Sequence, residues 1–357
     1  MGEPLLGTRT QRIFIGTVLA QGIIVLVMVA LISRYVHEHV TFDTPRYKTV
    51  PMYLSSFALA VVFELSMAFD ALKRRNIIQL IAILVFHVLL ILLAGLEYYQ
   101  TQNALLDPTT CAAFPASYVQ CSGPGTLMAK LNPFLITVPC VLGASWIAML
   151  FCIRGLYFEF GWDIFHIVGA DIKAKTMYQY YQVMVCLLKF DLFLYLAVEI
   201  QLLIVVLQRG TADFGITIAT IPLAVVAFAL SAYALRREFK WMMAACLLML
   251  AGVVGLLVYK LVKYFKPYHN AVNPYLTGRD VLTVFTVFAL ATFVATIGIG
   301  MRCYADFHKG LFDAKNHVVT ENTIFGLPLT SSGKEKIADR QSSYTGGAPV
   351  AAQMSIE

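Results

Sequence analysis

The sequence predicts an all-α, polytopic integral membrane protein of about eight transmembrane helices. Three observations carry that prediction. Of the 357 residues, 59% are hydrophobic and 13% are charged, against about 45–50% and about 25% in an ordinary soluble domain. Too little charge is left to coat a water-facing surface, and the same figures exclude disorder over most of the length. Mean hydropathy is +0.72, concentrated in apolar blocks of membrane length. The net charge of +6 is modest and sits in short clusters between those blocks, as cytoplasmic loops of a multi-spanning protein do. Nothing in it points to nucleic acid, and the partner it implies is the lipid bilayer.

A hydrocarbon core of about 30 Å takes ~20 apolar residues as helix, and only helices satisfy their own backbone there. The first span, 13–35, follows a mostly polar N-terminal segment, 1–12. No small-residue cleavage site stands behind a short apolar region, so this is an uncleaved span and not a signal peptide. Spans two and three, 51–72 and 77–99, flank Lys73, Arg74 and Arg75. Span four, 134–156, contains Pro139, and span six, 214–235, contains Pro222. Each proline removes an intrahelical bond and predicts a kink. Span five, 181–207, is the most polar. Arg236, Arg237 and Lys240 divide one overlong apolar run into spans six and seven, the latter 241–262. Span eight, 281–302, closes a membrane domain of 13–302.

Orientation follows from the basic residues. Arg9 and Arg12, the 73–75 triplet, Lys173 and Lys175, the 236–240 cluster, and Arg302, Lys309 and Lys315 all fall on one side of an eight-span chain. That side is expected to be cytosolic, with both termini. Lys263, Lys266 and Arg279 break the pattern once, in the connection between spans seven and eight. The long loop 100–133 is then luminal, and it holds Cys111 and Cys121, the two cysteines that share a polar loop. They are the candidate disulfide. Residues 157–180 alternate Phe158, Trp162, Phe165 and Ile172 with Asp163, Asp171, Lys173 and Lys175. This segment either lies along the cytosolic interface as an amphipathic helix or extends spans four and five into the cytosol. The last stretch, 303–357, is rich in Gly, Pro, Ser, Thr and Ala from residue 326 onward, and reads as a largely disordered cytosolic tail.

Ionisable residues inside spans cost about 2.5–3.5 kcal/mol at the helix centre on insertion scales, so each one invites a functional reading. The candidate intramembrane polar site is Glu64 in span two, His87 in span three, and Lys189, Asp191 and Glu199 in span five. Asp191, Tyr195 and Glu199 follow an i, i+4, i+8 ladder along one helix stripe, while Lys189 points about 200° away from Asp191. By depth, Glu64 is the expected partner of Lys189, and the charges of span five are expected to face spans two and three, with Asp191 and Glu199 on a stripe turned inward. Asp70, one turn from Lys73 and Arg74, reads as solvated at the interface. The row fits either a proton- or cation-coupled carrier or a structural knot that fixes helix register.

Enzyme signatures are missing: there is no nucleophile elbow, P-loop or dinucleotide fingerprint. His37-Glu38-His39 lacks helical metal spacing. No enzyme activity, metal or cofactor is expected. Gly252, Gly255, Gly298 and Gly300 read as helix-packing positions, and no internal repeat is visible to the eye.

The block Tyr180-Tyr181-Gln182-Val183-Met184-Val185-Cys186-Leu187-Leu188-Lys189-Phe190-Asp191-Leu192-Phe193, followed by Glu199-Ile200-Gln201, resembles the uncharacterised fungal Golgi apparatus membrane protein family. The basic Arg236-Arg237-Glu238 connection and the low-complexity tail add to the resemblance, which covers roughly residues 10 to 325. It implies a multi-pass Golgi or endomembrane address and carries over no catalytic residues. Two functions compete under that address. One is a carrier built on the polar site; the other is a scaffold or receptor-like protein acting through its cytosolic segments.

Overall fold

Local signals set the helix ends. The computed structural model describes residues 7–40, 47, 49–106, 111–112, 117–168, 172–205, 212–266 and 278–307. Thr8 caps the first helix, its hydroxyl accepting from the Gln11 N–H at 3.3 Å, and Asn76 caps the third, accepting from the Gln79 N–H at 3.2 Å. The long helices are α1 (Arg9–His39), α2 (Thr49–Lys73), α3 (Ile77–Leu105), α4 (Leu127–Val168), α5 (Ile172–Val205), α6 (Ala212–Arg237), α7 (Lys240–Phe265) and α8 (Arg279–Asp306). The helical chain runs through Pro133, Pro139 and Pro222 without a break.

Seven of these helices are long and apolar enough to cross a bilayer. The other, α5, carries Lys189, Asp191 and Glu199, yet contacts on α2 show it running the depth of the bundle. Lys189 meets Asp70 near one end of α2, and Gln201 meets Ser56 near the other. Contacts between helix ends confirm strict up-and-down alternation. At the end carrying the basic clusters, the Gln11 amide donates to Glu159 at 2.5 Å and Arg302 lies over the Tyr180 ring. At the opposite end, His39 packs on Tyr118 and Tyr264 meets Thr286. Helices α7 and α8 thus run antiparallel along their length, and each is long and apolar enough to cross a bilayer.

Helix α3 continues to Leu105 and α4 begins at Leu127, so the expected loop 100–133 is shorter than its apolar boundaries suggested. Cys111 and Cys121 are disulfide-bonded within it, ten residues apart. Residues 157–168 belong to α4 and 172–180 to α5. The tail beyond 307 lies outside the described residues.

Each half of the chain closes on itself. In the first ring α1 touches α2, α2 touches α3, α3 touches α4 and α4 returns to α1; in the second, α5 to α8 repeat the same connectivity. The tight turns α2–α3 and α6–α7 are built alike. Arg75 and Glu238 adopt left-handed φ of 49° and 56°. The next N–H, of Asn76 or Phe239, then returns to the Ala71 or Ala234 carbonyl at 3.0 or 3.3 Å. Ala71-Leu72-Lys73-Arg74 matches Ala234-Leu235-Arg236-Arg237 in these turns. A repeat invisible to the eye in the sequence is therefore present in the connectivity, because membrane helices conserve direction and turn chemistry while their apolar residues interchange freely.

Close approach uses glycine at three points, one of them Gly155, where a Cβ would stand 3.2 Å from Thr10. A Cβ on Gly22 would stand 3.0 Å from Val61, and one on Gly300 would stand 2.6 Å from Leu247. Gly252, Gly255 and Gly298 face open space, so of the four glycines expected to pack, Gly300 alone meets a neighbouring helix.

Candidate functional site

Helix α5 joins the rings, packing on α2 and α3 of the first and on α6 and α8 of the second. Its sequence allows this because it carries two ladders at i, i+4 spacing. Asp191, Tyr195 and Glu199 face the second ring, and Lys189, Phe193, Ala197 and Gln201, two residues out of step, face the first. The opposing stripe on α2 is Ser56, Phe63 and Asp70, spaced seven residues apart and hence on one face.

These stripes meet in three layers. At the basic end the Lys189 ammonium pairs with Asp70 and donates to Gln79 Oε1 at 3.1 Å. Arg74 holds the other Asp70 oxygen at 2.8 Å, and the Gln79 amide is fixed on the Met67 carbonyl at 2.9 Å. About 10 Å deeper lies a plug of four phenylalanines. Phe63 stacks on Phe193 at 4.5 Å, and Phe86 and Phe190 close against them edge-on. About 10 Å further, Gln201 donates to Ser56 at 3.0 Å. Tyr53 and Glu97 are buried nearby within electrostatic reach of each other. Tyr53 Oη and Gln201 Oε1 have no hydrogen-bond partner.

The first ring encloses a separate network to which all four helices contribute. His87 on α3 approaches Glu64 on α2 at 2.5 Å through Nδ1. The Gln21 amide on α1 donates to the second Glu64 oxygen at 2.9 Å. On α4, the Leu142 carbonyl and Ser145 hydroxyl meet His87 Nε2 at 3.0 and 3.2 Å. A backbone carbonyl only accepts, so Nε2 carries a hydrogen, and one further proton is shared between Nδ1 and the Glu64 carboxyl. The pair is neutral whichever partner holds it.

The second ring's ladder is turned inward. Thr296 on α8 donates to Asp191 at 2.5 Å. Glu199 pairs with Lys260 on α7, whose ammonium also stands 6.0 Å from the Tyr195 ring centroid. Asp191, Glu199, His87 and Glu64 are all at most 1% exposed, sealed by side chains. An apolar groove of about 510 Å³ between α7 and α8, lined by Leu261, Phe265 and Val287, lies apart from these groups.

Two sequence expectations change. Lys189 pairs with Asp70 and not Glu64, because its four-carbon stem reaches toward the basic end while Glu64 sits on another face of α2. Asp191 and Glu199 face α8 and α7, not α2 and α3. Residues the sequence reading missed are Asp70, Gln79, Lys260, Thr296 and Glu97. Lys260 and Glu97 sit near span ends, where a charge draws no attention; Thr296 is uncharged and gave no signal.

No family model matches the chain, and no solved structure matches it. Over 275 residues it is 26% identical to a UPF0658 Golgi apparatus membrane protein of Schizosaccharomyces pombe, a match covering 74% of this chain and 77% of that protein. The match bears out the family resemblance carried by the α5 block, and with it the Golgi membrane address.

Proposed function

We propose that this Golgi membrane protein is a solute carrier whose pathway follows the seam between its two four-helix rings. The reading rests chiefly on one observation: polar, aromatic and polar layers stacked along the single interface of α2, α3 and α5. Sites of membrane carriers sit between repeated units that rock against each other, and the repeated ring connectivity makes this seam the corresponding place. In this reading the basic end is cytosolic and the disulfide end luminal. The Lys189–Asp70 pair closes the cytosolic side, the phenylalanines bar the middle, and Tyr53 and Gln201 offer unfilled polar groups, with the buried Glu97, on the luminal side. The self-contained Glu64–His87 network makes the first ring a rigid frame. No bond-making chemistry is required of any residue, so the reading is not an enzymatic one.

The test is uptake into liposomes. Protein-containing vesicles under an imposed pH gradient are incubated with a small-molecule extract of Golgi vesicles, and their contents are identified by mass spectrometry. The expected result is accumulation of a defined solute that is abolished by locking residues 70 and 189 together. Contents matching protein-free vesicles would overturn the carrier reading in favour of a scaffold.

A further inference from the structure

Charges sealed inside a membrane protein must be matched, because removing one from water costs several kcal/mol beyond what an imperfect partner returns. In the first ring Glu64 and His87 share a proton and sum to zero. At the seam Lys189 is matched by Asp70. In the second ring Glu199 is matched by Lys260. Besides Glu97, buried near Tyr53, Asp191 is left over. It is fully buried, its Oδ2 accepts from the Thr296 hydroxyl at 2.5 Å, and its Oδ1 has no hydrogen-bond partner. Among the described residues no cation pairs with it.

The surrounding groups do not supply the missing charge. Helix α8 presents the neutral Thr292 and Thr296. Helix α6 contributes Thr220 beside Tyr195, one turn along α5. Lys260 of α7 is engaged two turns away on Glu199. Lys189 leaves α5 on the opposite face, toward Asp70 and Gln79 of α2 and α3. A metal cation would need several converging oxygens, and one carboxylate with two threonine hydroxyls does not provide them. A single proton on Oδ1 completes the charge balance.

We propose that Asp191 is a proton-binding site of the membrane interior, holding a proton while α5 and α8 are packed together and exchanging it when that contact opens. Its use as the coupling group rests on the carrier reading above; the binding of the proton does not.

Infrared spectroscopy of the purified protein in lipid vesicles reads the site directly. The wild type is expected to show a protonated-carboxyl C=O band that moves on deuterium exchange. The component due to Asp191 should disappear in Asp191→Asn, shift in Thr296→Val, where the hydroxyl donor is lost, and remain in Glu64→Gln and in Glu97→Gln. An Asp191→Asn spectrum with no loss of band intensity relative to the wild type overturns the proposal. If Asp191→Asn fails to fold, Thr296→Val decides, and an unshifted band there overturns it. An Asp191 band without solute uptake would keep the proton site and remove the carrier; uptake without the band would do the reverse.

Discussion

Lys189 on α5 pairs with Asp70 on α2, and this contact ties the two rings together at the basic end of the seam. Both side chains are about one-quarter exposed, 28% and 26%, so the pair is screened more than a sealed one. Lys189→Met is expected to cost about 1–2 kcal/mol, between an exposed and a buried pair. Exchanging the charges, Lys189→Asp with Asp70→Lys, should recover less than half of that, because Arg74 would then face a lysine. Thermal unfolding in detergent measures both.

The Glu64–His87 pair makes a different prediction. With Nε2 carrying the hydrogen toward the Leu142 carbonyl, Nδ1 can accept, so Glu64→Gln keeps every bond: its amide donates to Nδ1 and its carbonyl accepts from Gln21. A loss below about 1 kcal/mol is expected. His87→Leu leaves a sealed acid with one partner and should cost about 3–5 kcal/mol. Equal losses in the two variants would contradict the assigned tautomer.

Cys186 reports on the seam. It is 4% exposed, one turn from Lys189 and within reach of its charge. A membrane-permeant maleimide should label it slowly in the wild type. Phe193→Ala removes the centre of the phenylalanine plug at a cost of about 3–5 kcal/mol, and labelling is expected to rise at least severalfold. Unchanged labelling would mean that the plug does not guard this path.

The fold was largely legible in the sequence because hydropathy and basic clusters act over whole spans, and eight helices emerged at the expected places. Partner choice was not legible. The ladder of Asp191, Tyr195 and Glu199 could be read from spacing alone, but in the second ladder Lys189 stood out only as an isolated charge, because Phe193 and Ala197 between it and Gln201 look like ordinary lipid-facing or core positions. Which helix each ladder faces depends on ring closure, and no local signal encodes that. Lys189 was assigned to Glu64 by depth, since counting residues along an axis ignores the reach of a lysine stem.

The Cys111–Cys121 bond closes a short loop between α3 and α4. The chain-entropy account gives about 2–3 kcal/mol for a loop of this size. Alkylation without reductant followed by mass spectrometry should find both thiols protected in native membranes, and the Cys111→Ser, Cys121→Ser protein should unfold at lower temperature.

The claim that the rings rock about the seam is tested most directly by distance measurement across the basic end. Spin labels at Lys73→Cys on α2 and Arg236→Cys on α6, both exposed positions, with Cys140 and Cys152 replaced by serine, report the separation of the rings by pulsed electron resonance in lipid vesicles. The account predicts two distance populations whose ratio changes between acidic and alkaline buffer, and a ratio that no longer responds to pH in Asp191→Asn. A single narrow distance, the same at both pH values in the otherwise unaltered protein, would contradict it.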